Sequence, residues 1–394
     1  MPHILVTQHK SIQTPLETLS GVRFNYIVKN NYEEKIAITY KKKDFLLTKI
    51  NKNENILIKA DSTTRVTPVG LIKDAIKEYS KNIDAKILFS NIENSTTKLA
   101  PQDSYLKPMQ YFLSDDYKKN LQQYKQVCIE VGFGSGRHLL YQASQNPDIL
   151  YIGLEIHTAS IEKMLKQVRL LDITNILAVN YDARLFLEFI QSNSISRIFV
   201  HFPVPWDKKP HRRVMSIEFI KESLRVLEPN GTLELRTDSP NYYEYSSNLY
   251  KQFNNKYTID KNKELAISSK YEDRWKKQGK DIWDLTIYSD TISNDIIIEP
   301  NFIFDFKYNI KDFKDNLPKK PIVKTDYFVH FSNIFTNDNL ILIELTMGSF
   351  NKPLSKFIVI SQNTIYYFQD DPIPTSANKN AHNLIVEKLK ETLI

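Results

Sequence analysis

The stretch Cys128–His138 reads Cys-Ile-Glu-Val-Gly-Phe-Gly-Ser-Gly-Arg-His, and the fold turns on how it is read. The chain has nine glycines in 394 residues, yet Gly132, Gly134 and Gly136 fall within five positions. Average usage would supply about three times as many glycines. A chain this sparing clusters three of them where the backbone must turn tightly or approach a ligand closely. Val127–Val131 reads as a buried strand, and Arg137–Gln145 as a helix stopped near Pro147. Strand, glycine turn and helix in that order form a nucleotide-cofactor site. An ordinary strand-to-helix turn would read the same way, so the surrounding chain has to decide.

Downstream, strand and helix alternate. The strands are Tyr151–Leu154, Ile176–Val179, Arg197–Phe202 and Thr232–Thr237, with Tyr257–Ala266 and Ile282–Tyr288 as later candidates. Between them lie a helix with Ile161, Met164, Leu165, Val168 and Leu171 on one stripe, a short helix Arg184–Ile190, helix Ser216–Leu227 closed by Pro229-Asn230-Gly231, and helix Asn241–Phe253. Strands separated by helical crossovers imply a mostly parallel sheet with helices on both faces, an α/β Rossmann-like fold, over residues 111–290.

The flanks are patterned differently. Phe24, Tyr26 and Val28 alternate, as do Ile36, Ile38 and Tyr40; Phe45–Ile50 and Ile56–Lys59 follow. This predicts an antiparallel meander, then a helix Pro68–Tyr79. Polar residues from Asn91 to Gln110 form the expected linker. Residues 291–394 return to strands at Phe302–Phe306, Tyr327–Phe331, Leu340–Thr346, Lys356–Ile360 and Thr364–Phe368, and end in a helix with Ala381, Leu384, Ile385 and Leu389. The expectation is a strand-rich N-terminal region 1–110, a central domain 111–290 and a strand-rich C-terminal region 291–394.

Hydrophobic content of 41% and charged content of 25% are those of a globular chain with a sizeable core. The single cysteine, Cys128, excludes an internal disulfide and any multi-cysteine metal site, which fits a reducing compartment. Met1–His9 lacks the regions of a signal peptide, and no run of eighteen apolar residues occurs. A cytoplasmic protein without membrane contact is expected. The net charge of +7 is compatible with an anionic partner such as nucleic acid.

Four acids stand at strand ends or flank the glycine turn: Glu130, Glu155, Asp182 and Asp238. Glu155 comes nineteen residues after Gly136, where a carboxylate can accept both ribose hydroxyls. The bland alternative is that such acids only cap helices. A dinucleotide fingerprint would place its third glycine at 137, where Arg137 stands. The acidic neighbour Glu130 also suits the sulfonium and ammonium groups of S-adenosylmethionine better than a pyrophosphate.

A second cluster, Phe202-Pro203-Val204-Pro205-Trp206-Asp207-Lys208-Lys209-Pro210-His211-Arg212-Arg213, follows the strand Arg197–Phe202. Trp206 can stack on a base, and Lys208, Lys209, Arg212 and Arg213 can contact phosphates. The alternative is a solvated basic loop.

Together these segments resemble the bacterial tRNA (guanine-N7-)-methyltransferase family, a class I S-adenosylmethionine-dependent fold. The matches are Ile129–Gly136, Gly153–His157, Asn180–Ala183, Phe202–Lys208, Thr237-Asp238, Ser269–Arg274 and Gly279–Leu285, in family order across residues near 125–290. The resemblance implies that Glu130, Glu155 and Asp182, with the turn glycines Gly132, Gly134 and Gly136, bind S-adenosylmethionine. It implies that Lys208, Asp238, Ser269, Lys270, Tyr271 and Glu272 bind the tRNA guanosine, usually guanine 46 of the variable loop. No metal and no obligatory protein partner are expected. Three departures stand out. The family usually has an aspartate between the loop prolines, where this chain has Val204. The basic run is about two residues shorter. The usual Thr-Lys-Phe-Glu is Ser-Lys-Tyr-Glu. Asp238 is then left as the catalytic carboxylate. A tRNA-binding protein without catalysis, a methyltransferase of another RNA and a nicotinamide-dependent oxidoreductase are the competing readings.

Overall fold

The computed structural model describes residues 1–7, 9–52, 54–92, 104–268, 270–299 and 301–393. The chain forms two compact units. One is Gln102–Pro300; the other joins Met1–Pro101 to Asn301–Ile394.

In the first unit seven strands form one sheet: β1 (Gln126–Val131), β2 (Ile149–Leu154), β3 (Ile176–Val179), β4 (Ile195–His201), β5 (Leu227–Thr237), β6 (Tyr257–Lys261) and β7 (Trp283–Tyr288). Their spatial order is β3-β2-β1-β4-β5-β7-β6. The first five are parallel; β7 runs antiparallel between β5 and β6. The chain order reverses between β1 and β4, and ligands of such sheets bind beyond the carboxyl ends of the strands there. The helices are α1 (Asp115–Leu121), α2 (Arg137–Gln145), α3 (Thr158–Leu170), α4 (Ala183–Phe186), α5 (Ile217–Val226), α6 (Pro240–Tyr250) and α7 (Lys270–Lys277).

The two faces of this sheet differ in chemistry because strand side chains alternate. One face carries Ile129, Val131, Ile198, Val200, Leu233, Leu235, Leu285 and Ile287, all buried. The registered pairs Glu130↔Phe199, Phe199↔Glu234, His201↔Arg236 and Arg236↔Asp284 put a row of polar and charged groups on the other.

Several expected boundaries move. Residues 93–103 of the expected linker lie outside the described residues. Its end belongs to the first unit, where Leu106 bridges Ala178 and adds to the edge beyond β3. The other boundary shifts from 290 toward 300, because Asn193 donates to the Ser293 carbonyl and Ser192 to that of Asn294. The strand expected over Tyr257–Ala266 ends at Lys261, where Asn262 takes a left-handed conformation (φ 57°) and its side chain accepts the Ile282 amide. Pro229–Gly231 is drawn into β5 rather than closing a helix.

The flanking regions, 1–110 and 291–394 in the sequence, contribute to one twelve-stranded sheet. Arg23–Lys29, Glu33–Tyr40, Lys43–Lys52 and Asn55–Ala60 form the antiparallel meander, and His3–Val6 and Ile87–Ser90 extend it. Phe328–Thr336, Ile341–Gly348, Leu354–Ile360 and Ile365–Tyr367 form the other half. A single residue pair, Thr336↔Lys29, joins the halves edge to edge. Helix Gly70–Asn82 covers one half and helix Ser376–Leu393 the other. The opposite, helix-free faces meet through Val28, Ala37, Leu46, Phe335, Leu342 and Phe357. Phe302–Phe306, expected as a strand, has no ladder. Phe302 and Phe304 instead pack edge-on against His382 of the terminal helix, so the alternation records burial without pairing.

Lys35 lies inside this second unit with its ammonium 3.0 Å from both Asp61 and Glu33 and over the Phe335 ring. Burial works against its charge, but the two carboxylates more than offset that and raise its pKa. Removing one partner of a buried ion pair strands the other. Lys35→Ala should therefore destabilise the chain by about 3 kcal/mol, measured by urea unfolding; a loss below about 0.5 kcal/mol, the range of neutral surface changes, would contradict this account.

Candidate functional site

The glycine turn follows β1. Gly132, Gly134 and Gly136 have φ values of 68°, 55° and 74°, a region that side-chain-bearing residues avoid. The three glycines then diverge in role. A side chain on Gly132 would meet nothing within 4 Å, and one on Gly134 only the Gly132 carbonyl at 3.9 Å, so both border open space. Gly136 instead abuts Met164 of α3 and serves helix packing. Gly153 on β2, beside Glu130, admits Phe133 and Leu139. The turn is thus packed from below and open above.

Glu155 ends β2 beside this opening. One of its oxygens accepts the Gly134 amide at 3.0 Å, and the other accepts the Ile156 and His157 amides at 2.8 and 2.9 Å. Asp182, after β3, caps α4 through the Arg184 amide and pairs with the Arg184 guanidinium at 2.7 Å. Asp238, after β5, is 3.0 Å from Lys280. These three carboxylates all stand at the carboxyl edge of the sheet, where the sequence placed them.

Glu130 does not. It points to the polar face, is 4% exposed, and accepts from His138 Nδ1 at 2.8 Å. His138 in turn faces Gln142 through Nε2, 3.2 Å away, and its ring lies 4.5 Å from that of His201. Burial disfavours charge on His138, yet the Glu130 carboxylate prevails and raises its pKa. Burial, with His138 and Arg236 nearby, depresses His201 well below the ordinary range. The negative charge expected to face a cationic cofactor is therefore bound up with an imidazole under the turn. Cys128 is equally withdrawn: burial pushes its thiol up to about 11.

The expected substrate segment is fixed from two sides. Arg137 at the glycine turn reaches the Ser268 carbonyl at 3.2 Å and Asp273 at 2.5 Å. Arg236 of β5 is buried; it binds Asp284 at 2.6 Å, Glu272 at 2.9 Å and the Lys263 carbonyl at 2.8 Å. Burial raises the pKa of Asp284 although Arg236 opposes it. Glu272 is 1% exposed, so its carboxylate anchors α7 and does not project toward a ligand. Ser269 lies outside the described residues, as do the side chains of Lys270 and Tyr271.

The proline loop also sorts its cations. Lys208, Lys209 and Arg212 are exposed, and Arg212 lies over the Trp206 ring. Arg213 is buried, donating to the Pro205 carbonyl at 2.6 Å and to Asp207 at 3.1 Å and stacking on Tyr245. It holds the loop and is not a phosphate contact. Val204 is 60% exposed at the loop crest. Arg236 and His138, central to this architecture, escape sequence reading because they sit in runs that look like an ordinary strand and helix; only a charge in the middle of a predicted core strand signals the first.

A family model described as "Putative methyltransferase" matches residues 124–285. The chain is 37% identical to a tRNA (guanine-N(7)-)-methyltransferase of Wolinella succinogenes, over 99% of this chain and all of that one. It is 38% identical to the protein of the same name from Helicobacter hepaticus, with the same two coverages. The crystal structure of the 16S rRNA methyltransferase KamB aligns with 45% of this chain and 94% of its own at 19% identity and a TM-score of 0.37.

Two outcomes test the buried charges. Arg236→Met leaves Glu272 and Asp284 buried without a cation, and urea unfolding should show a loss of about 3–5 kcal/mol. For Glu130–His138 the raised folded pKa sets the sign. The pair's stabilisation is whole below the unfolded value of about 6.5 and fades as pH rises through the folded value. The stability gap between wild type and His138→Gln should be widest near pH ~6 and shrink towards pH ~9; a gap that grows with pH would contradict the pairing.

Proposed function

The chain belongs to the tRNA (guanine-N7-)-methyltransferase family, and we propose that the open side of its glycine turn receives S-adenosylmethionine and presents the methyl group to N7 of a tRNA guanine. The enzyme methylates guanine N7 in tRNA. The observation that best supports the assigned site is the pair Gly132 and Gly134, left-handed and bordering open space, with Glu155 held on the Gly134 amide. Glu155 and Asp182 are the carboxylates for the ribose and base sides of the cosubstrate. Gly136 and Glu130 act beneath the turn as packing and support.

S-adenosylmethionine supplies an electrophilic methyl group, and guanine N7 supplies the lone pair. N7 has no proton to lose, so the protein is asked for alignment rather than for a general base. The guanine becomes cationic as the bond forms, and a carboxylate preorganised nearby stabilises that charge. Asp238, on Lys280 at the end of β5, is our choice for this task. Lys208, exposed on the loop, and α7, locked by Arg236, frame the base. This arrangement places no demand on a carboxylate at Val204. The family's usual target, guanine 46, is the expected one.

Nucleoside mass spectrometry of tRNA incubated with the protein and S-adenosylmethionine should show 7-methylguanosine. Glu155→Ala should weaken cosubstrate binding in calorimetry. Asp238→Asn should lower kcat/KM on the order of 100-fold with cosubstrate affinity unchanged. Wild type forming no 7-methylguanosine while Val204→Asp forms it would sink the view that positioning suffices.

A further inference from the structure

We propose that the hairpin tip Lys41–Lys43, with Arg23 beside it, is a contact surface for the phosphate backbone of tRNA. The inference rests on the tRNA reading above and adds the part of the chain that reading leaves unused.

The first observation is backbone strain. The strands Glu33–Tyr40 and Lys43–Lys52 are joined by a two-residue turn, with Tyr40 paired to Lys43. Its two central residues, Lys41 and Lys42, have φ values of 47° and 61°. Asn-Gly is the pair that suits such a turn. A side-chain-bearing residue in this region costs about 1 kcal/mol. The chain accepts that strain twice in succession, and what it obtains is three consecutive ammonium groups on one tight crest. The hairpin demands this backbone, but not lysine in it, and the choice of lysine at both positions is what a charged partner would explain.

The second is that these charges are unspent. Lys41, Lys42, Lys43 and Arg23 are all exposed. Arg23 pairs with Thr39 in the register of the adjacent strand, so it lies at the same end of the sheet. Among the described residues no carboxylate forms an ion pair with any of the four. Asp44 accepts the Thr39 hydroxyl at 2.6 Å. Lys41 rides over the Tyr40 ring, 5.1 Å from its centroid.

The third is where the net charge sits. Gln102–Pro300 holds 26 Lys and Arg against 26 Asp and Glu. Met1–Pro101 with Asn301–Ile394 holds 27 against 20, and within it Met1–Pro101 alone has 16 against 10. The unit bearing the glycine turn is neutral, and the whole excess of +7 lies in the other. A polyanion is drawn by such a field, and lysine ammoniums meet phosphates without reading sequence.

The test is a variant that relieves the turn while removing its charge: Lys41→Asn, Lys42→Gly and Lys43→Thr together, in the full chain. Asn-Gly suits the geometry and Thr suits the strand, so the melting temperature should hold or rise and calorimetry should give unchanged S-adenosylmethionine affinity. Affinity for an unmodified tRNA transcript should fall about 10-fold at low salt. The slope of log affinity against log salt should drop by about 2 to 3. Unchanged affinity and slope mean a solvated turn only and overturn the proposal. So does a variant that keeps tRNA affinity but loses binding to phosphatidylserine vesicles. Failure of the underlying reading shows separately: wild type would then form no 7-methylguanosine, whatever the hairpin contributes to tRNA affinity. Wild type that does not bind tRNA overturns both.

Discussion

Arg236 is buried with two carboxylates and a carbonyl around its guanidinium, and the arrangement of the site depends on that junction. A guanidinium withdrawn from water is tolerable only when most of its donors are met, and its planar fork suits two acids at once. Asp284 arrives from the antiparallel strand β7, Glu272 from α7, and the Lys263 carbonyl from the chain between β6 and α7. One residue of β5 thereby fixes the three pieces of chain that arrive last in this unit. Arg137 repeats the device just after the glycine turn, tying the start of α2 to Asp273. The two arginines tie Ser268 and Asp273 to the start of α2 and Glu272 to β5.

This explains which parts of the site were legible in the sequence. The glycine turn was, because left-handed backbone has a residue preference that survives in any context. The positions of Glu155 and Asp182 just past their strands were, because the end of a strand is a place that can be counted to. The roles of Glu130, Glu272 and Arg213 were not. Each is a charged residue in or next to a recognised motif, and each turns inward to a partner: His138 eight residues on, Arg236 thirty-six residues back and Asp207 six residues back. Side-chain direction on a strand or helix follows from neighbours that the linear order does not reveal. The packing demand on Gly136 is hidden for the same reason, since only the packed α3 shows that Met164 takes the room a side chain there would need.

In the second unit the local elements were readable and their pairing was not. Alternation located the meander and most of the later strands, and helical spacing located both covering helices. Nothing local says that Lys29 should pair with Thr336, or that Lys35 should lie against Phe335 and Phe357. Phe302–Phe306 shows the converse, an alternating run that buries every second ring without joining a sheet. Periodicity reports which side of a segment is covered, and the covering partner need not be a strand.

The face-to-face packing of the two half-sheets sets an order of events on the ribosome. Val28, Ala37 and Leu46 emerge with the first strands, but Phe335, Leu342 and Phe357, which cover them, emerge roughly 300 residues later. At about 5–20 residues per second that interval is roughly 15–60 s. Throughout it the nascent N-terminal half carries an uncovered apolar sheet face and the buried lysine of the finished protein, still in water. The ammonium of Lys35 in the middle of that face is then a gatekeeper against sticking to other chains. The same charge that is clamped between aromatic rings at the end of synthesis keeps the unfinished surface soluble at its beginning.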